Sequence, residues 1–213
     1  MTRLLPTVLL MACLGAGCGS LDNEPLRTGT IRGQLANTDT SALVSVIGHE
    51  ALVTAPDAEG RFVLDGVPLG PVELLVVINL RQSRRLSVEV GAASIVELGP
   101  VEPAISGDFE IYVKAPGGQR VTGGSAVLVG TPLVSSVRPP EDEAEFHLPA
   151  GCYEAVVTVP GLGGGTVNGC LEAGGLFEHI LQLEVPDGSA GREGCVVTGC
   201  QGLLTCQPDR SCR

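Results

Sequence analysis

Polar and apolar positions alternate with a period of two through most of this chain. In Thr30-Ile31-Arg32-Gly33-Gln34-Leu35, the side chains of Arg32 and Gln34 fall on the face opposite Ile31 and Leu35, the signature of a half-buried strand. Short apolar runs at 42–47 and 51–54 are separated by Gly48-His49-Glu50, read as a turn. Pro56-Asp57-Ala58-Glu59-Gly60 predicts a second reversal, with Pro fixing φ and Gly permitting a positive one. Strands are expected over 61–64 and, after a turn at 65–70, over the near-continuous apolar run 71–78. Leu86, Val88 and Val90 then alternate with Ser87 and Glu89, and 95–98 closes the set. Many short strands with turn signals between them predict an all-β protein built as a two-sheet sandwich.

The second half repeats the first. Glu59-Gly60-Arg61-Phe62-Val63-Leu64 is echoed by Glu143-Ala144-Glu145-Phe146-His147-Leu148, and Pro68-Leu69-Gly70 by Pro149-Ala150-Gly151. Val72-Glu73-Leu74-Leu75-Val76-Val77 matches Tyr153-Glu154-Ala155-Val156-Val157-Thr158. Three blocks in the same order predict two tandem small Greek-key-type β-sandwiches. Phe109, Ile111 and Val113 alternate with Glu110, Tyr112 and Lys114, and 176–185 supplies a final strand.

The block Thr54…Asp57-x-x-Gly60-x-Phe62-x-Leu64-x-Gly66-Val67-Pro68-x-Gly70 resembles the carboxypeptidase-regulatory-like family of transthyretin-like or prealbumin-like β-sandwiches. The resemblance covers 28–100 well and 105–186 more weakly, because the turn before Phe146 is acidic (Glu141-Asp142-Glu143) and lacks glycine. It implies a fold common in exported bacterial proteins and carries no catalytic residues.

The N-terminus supplies an address. Arg3 precedes an apolar stretch over 4–16, interrupted by Pro6, which is shorter than the ~20 residues a bilayer span requires and fits a secretory signal. Leu14-Gly15-Ala16-Gly17-Cys18 resembles the lipobox of bacterial lipoproteins, although Gly15 stands where a large aliphatic is usual. That resemblance implies a signal peptide over 1–17, cleavage before Cys18 and lipidation of its thiol, with 18–27 as a linker. A competing frame, Leu10-Met11-Ala12-Cys13, would lipidate Cys13.

Composition narrows the function. The net charge of −11 repels phosphate backbones, and with no Trp, two Tyr and four Phe there is no stacking platform, so nucleic acid is excluded as a partner. Six cysteines follow the signal region: Cys152, Cys170, Cys195, Cys200, Cys206 and Cys212. On an exported chain they are expected in disulfides. A hairpin at Pro160-Gly161-Leu162-Gly163-Gly164 would set Cys152 and Cys170 nearly opposite one another. The last four give a disulfide-rich tail over 187–213, whose three pairings remain open; zinc is disfavoured there because C-x2-C spacing and histidine are missing.

Chemistry-bearing motifs are scarce. His49-Glu50 lacks the second histidine of a zinc-protease helix, His147 is expected to be solvated, and His179 shares parity with Phe177 and Leu181 as a core-edge residue. The run 161–166 is read as a turn. Glu141, Asp142, Glu143 and Glu145, like Asp57 with Glu59, are read as solvated acidic loops with calcium as the rival. Arg81, Arg84 and Arg85 are read as an exposed strand edge. No catalytic, cofactor-binding or metal residue is assigned. The expectation is a non-catalytic envelope protein, held to the outer membrane by its lipid anchor. It would display loops and edges to another envelope protein, or alternatively act as a carbohydrate-binding module, for which only Tyr112 and Tyr153 offer rings.

Overall fold

The computed structural model describes residues 27–184 except Gln119 and Thr122. Cys13, Cys18, Cys195, Cys200, Cys206 and Cys212 lie outside the described residues. The first unit comprises β1 (Thr28–Leu35), β2 (Leu43–Val46), β3 (His49–Thr54), β4 (Arg61–Pro68), β5 (Gly70–Asn79), β6 (Gln82–Val90) and β7 (Ile95–Val101). A two-residue strand, β8 (Ala104–Ile105), follows. The second unit comprises β9 (Gly107–Lys114), β10 (Ser125–Leu128), β11 (Val134–Ser136), β12 (Glu143–Leu148), β13 (Gly151–Val159), β14 (Gly163–Leu171) and β15 (Leu176–Gln182).

The duplication is complete at the level of topology. In the first unit one sheet runs β4-β1-β7 and the other β3-β2-β5-β6, extended by β8; in the second the corresponding orders are β12-β9-β15 and β11-β10-β13-β14. The first and last strands of each unit, β1 with β7 and β9 with β15, pair in parallel, while the other pairs are antiparallel. Each unit closes its own core. Ile31, Val44, Phe62, Leu64, Leu74, Val76 and Ile78 meet in the first; Phe109, Ile111, Leu128, Phe146, Leu148, Ala155 and Val157 meet in the second. Burying one Val, Leu, Ile or Phe contributes ~1.5–3 kcal/mol, and the period-two alternation directs these side chains inward.

Several boundaries differ from the sequence-based expectation. The turn after β2 is Ile47-Gly48, with His49 and Glu50 already in β3. The turn expected at 65–70 shrinks to Leu69, because Gly66 and Gly70 take positive φ (74° and 94°) and let the pairing continue. The run 161–166 is a turn only to Leu162, and Gly163 opens β14.

The acidic, glycine-free approach to Phe146 also has a structural solution. Gly60 (φ 79°) directly precedes β4 and its carbonyl accepts from Leu35 N at 2.8 Å. Asp142 (φ 58°) directly precedes β12 and its carbonyl accepts from Val113 N at the same distance. Asp is among the few residues that enter the left-handed region without prohibitive strain, so it takes the role of glycine here.

The two units touch through an outer face of the first. Along β5, Leu74, Val76 and Ile78 face the core, yet Leu75 and Val77, of opposite parity, are buried as well. That outer face meets the second unit. Arg85 on β6 lies 5.7 Å from the Tyr153 ring and pairs with Glu73 at 2.6 Å, Ser83 and Ser106 share a 2.7 Å hydrogen bond, and Gly48 N donates to Gly130 O at 2.8 Å. The unbroken apolar run of β5 is therefore a strand covered on both faces. Arg85 is not an exposed edge residue as expected, and β6 begins at Gln82 so that Arg84 and Arg85 are both within it. Arg84 Nη1 donates to Glu102 O at 2.9 Å, binding the connection between the units.

Candidate functional site

The side chains with the most chemical potential gather on the outer face of the β12-β9-β15 sheet. Phe146 and Leu148 point into the core, so Glu143, Glu145 and His147 alternate outward. On β9, Phe109, Ile111 and Val113 are buried, which turns Asp108, Glu110 and Tyr112 outward. Antiparallel register sets His147 opposite Asp108 and Glu145 opposite Glu110, and β15 adds Glu178 beside Glu110.

His147 is half-buried and held from both sides. Its Nδ1 lies 2.9 Å from Asp108 Oδ1 and its Nε2 lies 3.6 Å from Glu145 Oε1. The nearer contact is a hydrogen bond; the farther is an electrostatic approach beyond hydrogen-bond range. One potential ligand atom from each of Asp108, Glu145 and His147 falls within 4.8 Å of the others. Glu145 is fixed along its backbone too, its N–H donating to Ser135 Oγ at 3.1 Å.

The surrounding field is negative. Partial burial, and after it the charges of Glu110, Glu145, Glu141 and Glu178, push the Glu143 carboxyl above its ordinary range. Tyr112 donates to Glu110 Oε2 at 2.8 Å, and chiefly for that reason its hydroxyl is pushed up to about 12. Chemically, the arrangement holds one imidazole in a fixed orientation between carboxylates. Such a grouping offers ligand atoms to a cation.

The other sequence-predicted positions resolve differently. Cys152 and Cys170 are register partners on β13 and β14 and are joined in a disulfide, as the hairpin reading expected. Asp57 and Glu59 both pair with Arg61, at 3.0 and 2.9 Å, so they form a turn and not an open calcium loop. Asp142 is buried at 2% exposure and leaves the solvated acidic loop to Glu141. His179 is exposed, with its ring parallel to that of Phe177 at 6.4 Å. Tyr153 is buried and donates to Pro149 O at 2.7 Å, which removes its ring from any sugar-stacking surface.

Sequence reasoning named Glu145 and His147 but missed their meeting with Asp108. Outward parity on each strand was readable. The register that brings together residues 39 apart was not.

No protein-family model matches the chain, and no curated protein does. Solved structures with partial likeness include the TIE protein of Bacillus anthracis, at 16% identity and a TM-score of 0.34, covering 74% of this chain and 34% of that one. The minor pilin GBS52 of Streptococcus agalactiae gives 11% identity and a TM-score of 0.32, covering 74% of this chain and 95% of that one. A streptococcal ancillary pilin gives 12% identity and a TM-score of 0.26, covering 73% of this chain and 62% of its own. This chain thus spans about a third of the length of the Bacillus protein.

Proposed function

We propose that the chain is a non-catalytic, exported module of the bacterial cell envelope, tethered by a lipidated Cys18 and presenting two β-sandwiches to another envelope protein. The observation that carries this reading is the Cys152–Cys170 disulfide. Bridges of this kind form and persist in oxidising compartments, in agreement with the lipobox-like N-terminus. Lipid anchoring and placement at the outer membrane belong to the same reading, with Cys13 as the competing lipidation position.

Within this reading a protein partner is favoured over a glycan. Tyr153 is buried beneath Arg85, which leaves Tyr112 as the one tyrosine of the chain's two with a ring to offer a sugar, and a single ring is a poor stacking platform. Sheet edges offer the alternative recognition surface. β14 borders one sheet and β15 another, each with one side not paired to a described strand.

Metabolic labelling with an isotopic fatty acid tests the anchor. Label is expected on the wild-type chain and on Cys13→Ser, and absent from Cys18→Ser; a wild-type chain that carries no label overturns the tethered reading. In-cell crosslinking followed by recovery of the lipidated protein tests the partner. A discrete envelope protein is expected, and recovery of glycan alone would reverse the preference.

A further inference from the structure

The outer face of the β12-β9-β15 sheet holds a donor arrangement that the envelope reading does not use. In the tautomer with the proton on Nδ1, His147 donates to Asp108 at 2.9 Å and keeps a lone pair on Nε2, which lies 3.6 Å from Glu145 Oε1. A carboxylate behind an imidazole, with a second donor in front of it, is the arrangement by which proteins orient a metal-ligating histidine. The positions are fixed by backbone pairing. Asp108 and His147 are register partners, and Glu145 is one alternation away on the same strand.

A second observation is independent of those distances. Three carboxylates elsewhere pair with cations among the described residues, Asp57 and Glu59 with Arg61 and Glu73 with Arg85, and the others are scattered singly over the surface. On this face Glu110, Glu143, Glu145 and Glu178 form no ion pair with lysine or arginine among the described residues. The face therefore gathers four carboxylates around one imidazole, its one outward lysine, Lys114, standing at the far end of β9.

We propose that Glu145 and His147 Nε2 form an open zinc(II) site, oriented by Asp108, whose remaining coordination positions are left to water or to a donor from a bound partner. The mixed nitrogen and oxygen set selects zinc over calcium, which takes oxygen ligands alone. With two protein ligands in place the site is incomplete by itself. That suits a metal-bridged contact better than a structural zinc, which takes four.

The test is zinc titration of the full oxidised chain against a competing indicator, with the cysteines kept in disulfides so that thiolates do not bind metal. One saturable zinc per chain is expected, lost in His147→Ala and in Glu145→Gln. Asp108→Asn should weaken it by about 10- to 100-fold, the usual consequence of losing a ligand's supporting carboxylate. His179→Ala, on the neighbouring strand, should bind as wild type. Circular dichroism checks that each variant is folded, and His147→Gln replaces the alanine variant if that one is not. Failure of the wild type to bind zinc, or zinc binding unchanged in the folded His147 variant, overturns the proposal. So does calcium displacing zinc at equal concentration.

Discussion

At the scale of single residues, the turns before β4 and β12 show how a strained position is met by different chemistry. Gly60 sits at φ 79°, and a Cβ there would lie 2.0 Å from Leu35 O. Gly60→Ala is therefore expected to cost more than the ~1–3 kcal/mol of left-handed strain alone. Gly66→Ala, at φ 74° but with its nearest neighbour 4.0 Å away, should cost only that strain. Urea midpoints of the two variants, measured side by side, check the ordering. Asp57 locks the same turn, its Oδ1 accepting from Glu59 N at 3.0 Å and Arg61 N at 2.8 Å. The Arg61 backbone bond, followed by the bond and charge of its guanidinium, holds the Asp57 carboxyl below the ordinary range. A depressed folded pKa contributes stability above the unfolded value, and that contribution is lost as pH falls through the folded one. Wild type should thus exceed Asp57→Asn in stability at neutral pH, the gap closing on acidification. Thermal melts across a pH series read this directly.

At the scale of elements, alternation was enough to locate the strands, since burial on one face leaves a period of two that no tertiary information is needed to see. It was weakest where a strand is covered on both faces or meets another unit. β6 was expected to start near Leu86 because Ser83, Arg84 and Arg85 break the pattern, yet Ser83 and Arg85 are ordered by contacts across the interface. The Asp108–His147–Glu145 grouping was hidden for a related reason. Parity says which face a side chain takes, while register depends on turns and packing elsewhere. The β13-β14 hairpin lies at the legible extreme, its cysteines being placed opposite one another by the intervening turn alone. Their bridge closes a loop of 18 residues, and Cys152→Ser with Cys170→Ser is expected to lose ~3 kcal/mol. Each single variant should match the double, because either one abolishes the same bond. Equilibrium unfolding under non-reducing conditions checks both statements.

At the scale of the whole molecule, the contact between units is a small mixed surface anchored on Arg85, whose guanidinium serves Glu73 and the Tyr153 ring together. A partly desolvated cation over an aromatic ring contributes ~0.5–2 kcal/mol. Arg85→Ala should therefore loosen the pairing of the units while leaving both cores intact. Hydrogen exchange is the suitable measurement: protection should fall at Gly48 and Ser106, whose amides bond across the junction or to Arg81 beside it, and persist in β5 and β13.

Parallel pairing of the first and last strands has a mechanical consequence. Because β1 and β7 run the same way, as do β9 and β15, the chain enters each sandwich at one pole and leaves from the other. Tension applied to the two ends of a unit is then directed along paired strands, so their rungs are loaded together in shear instead of being opened singly like a zipper. Pulled in a force spectrometer, each unit should give way in one abrupt high-force step, and the second unit pulled across its β13-β14 hairpin should open at lower load.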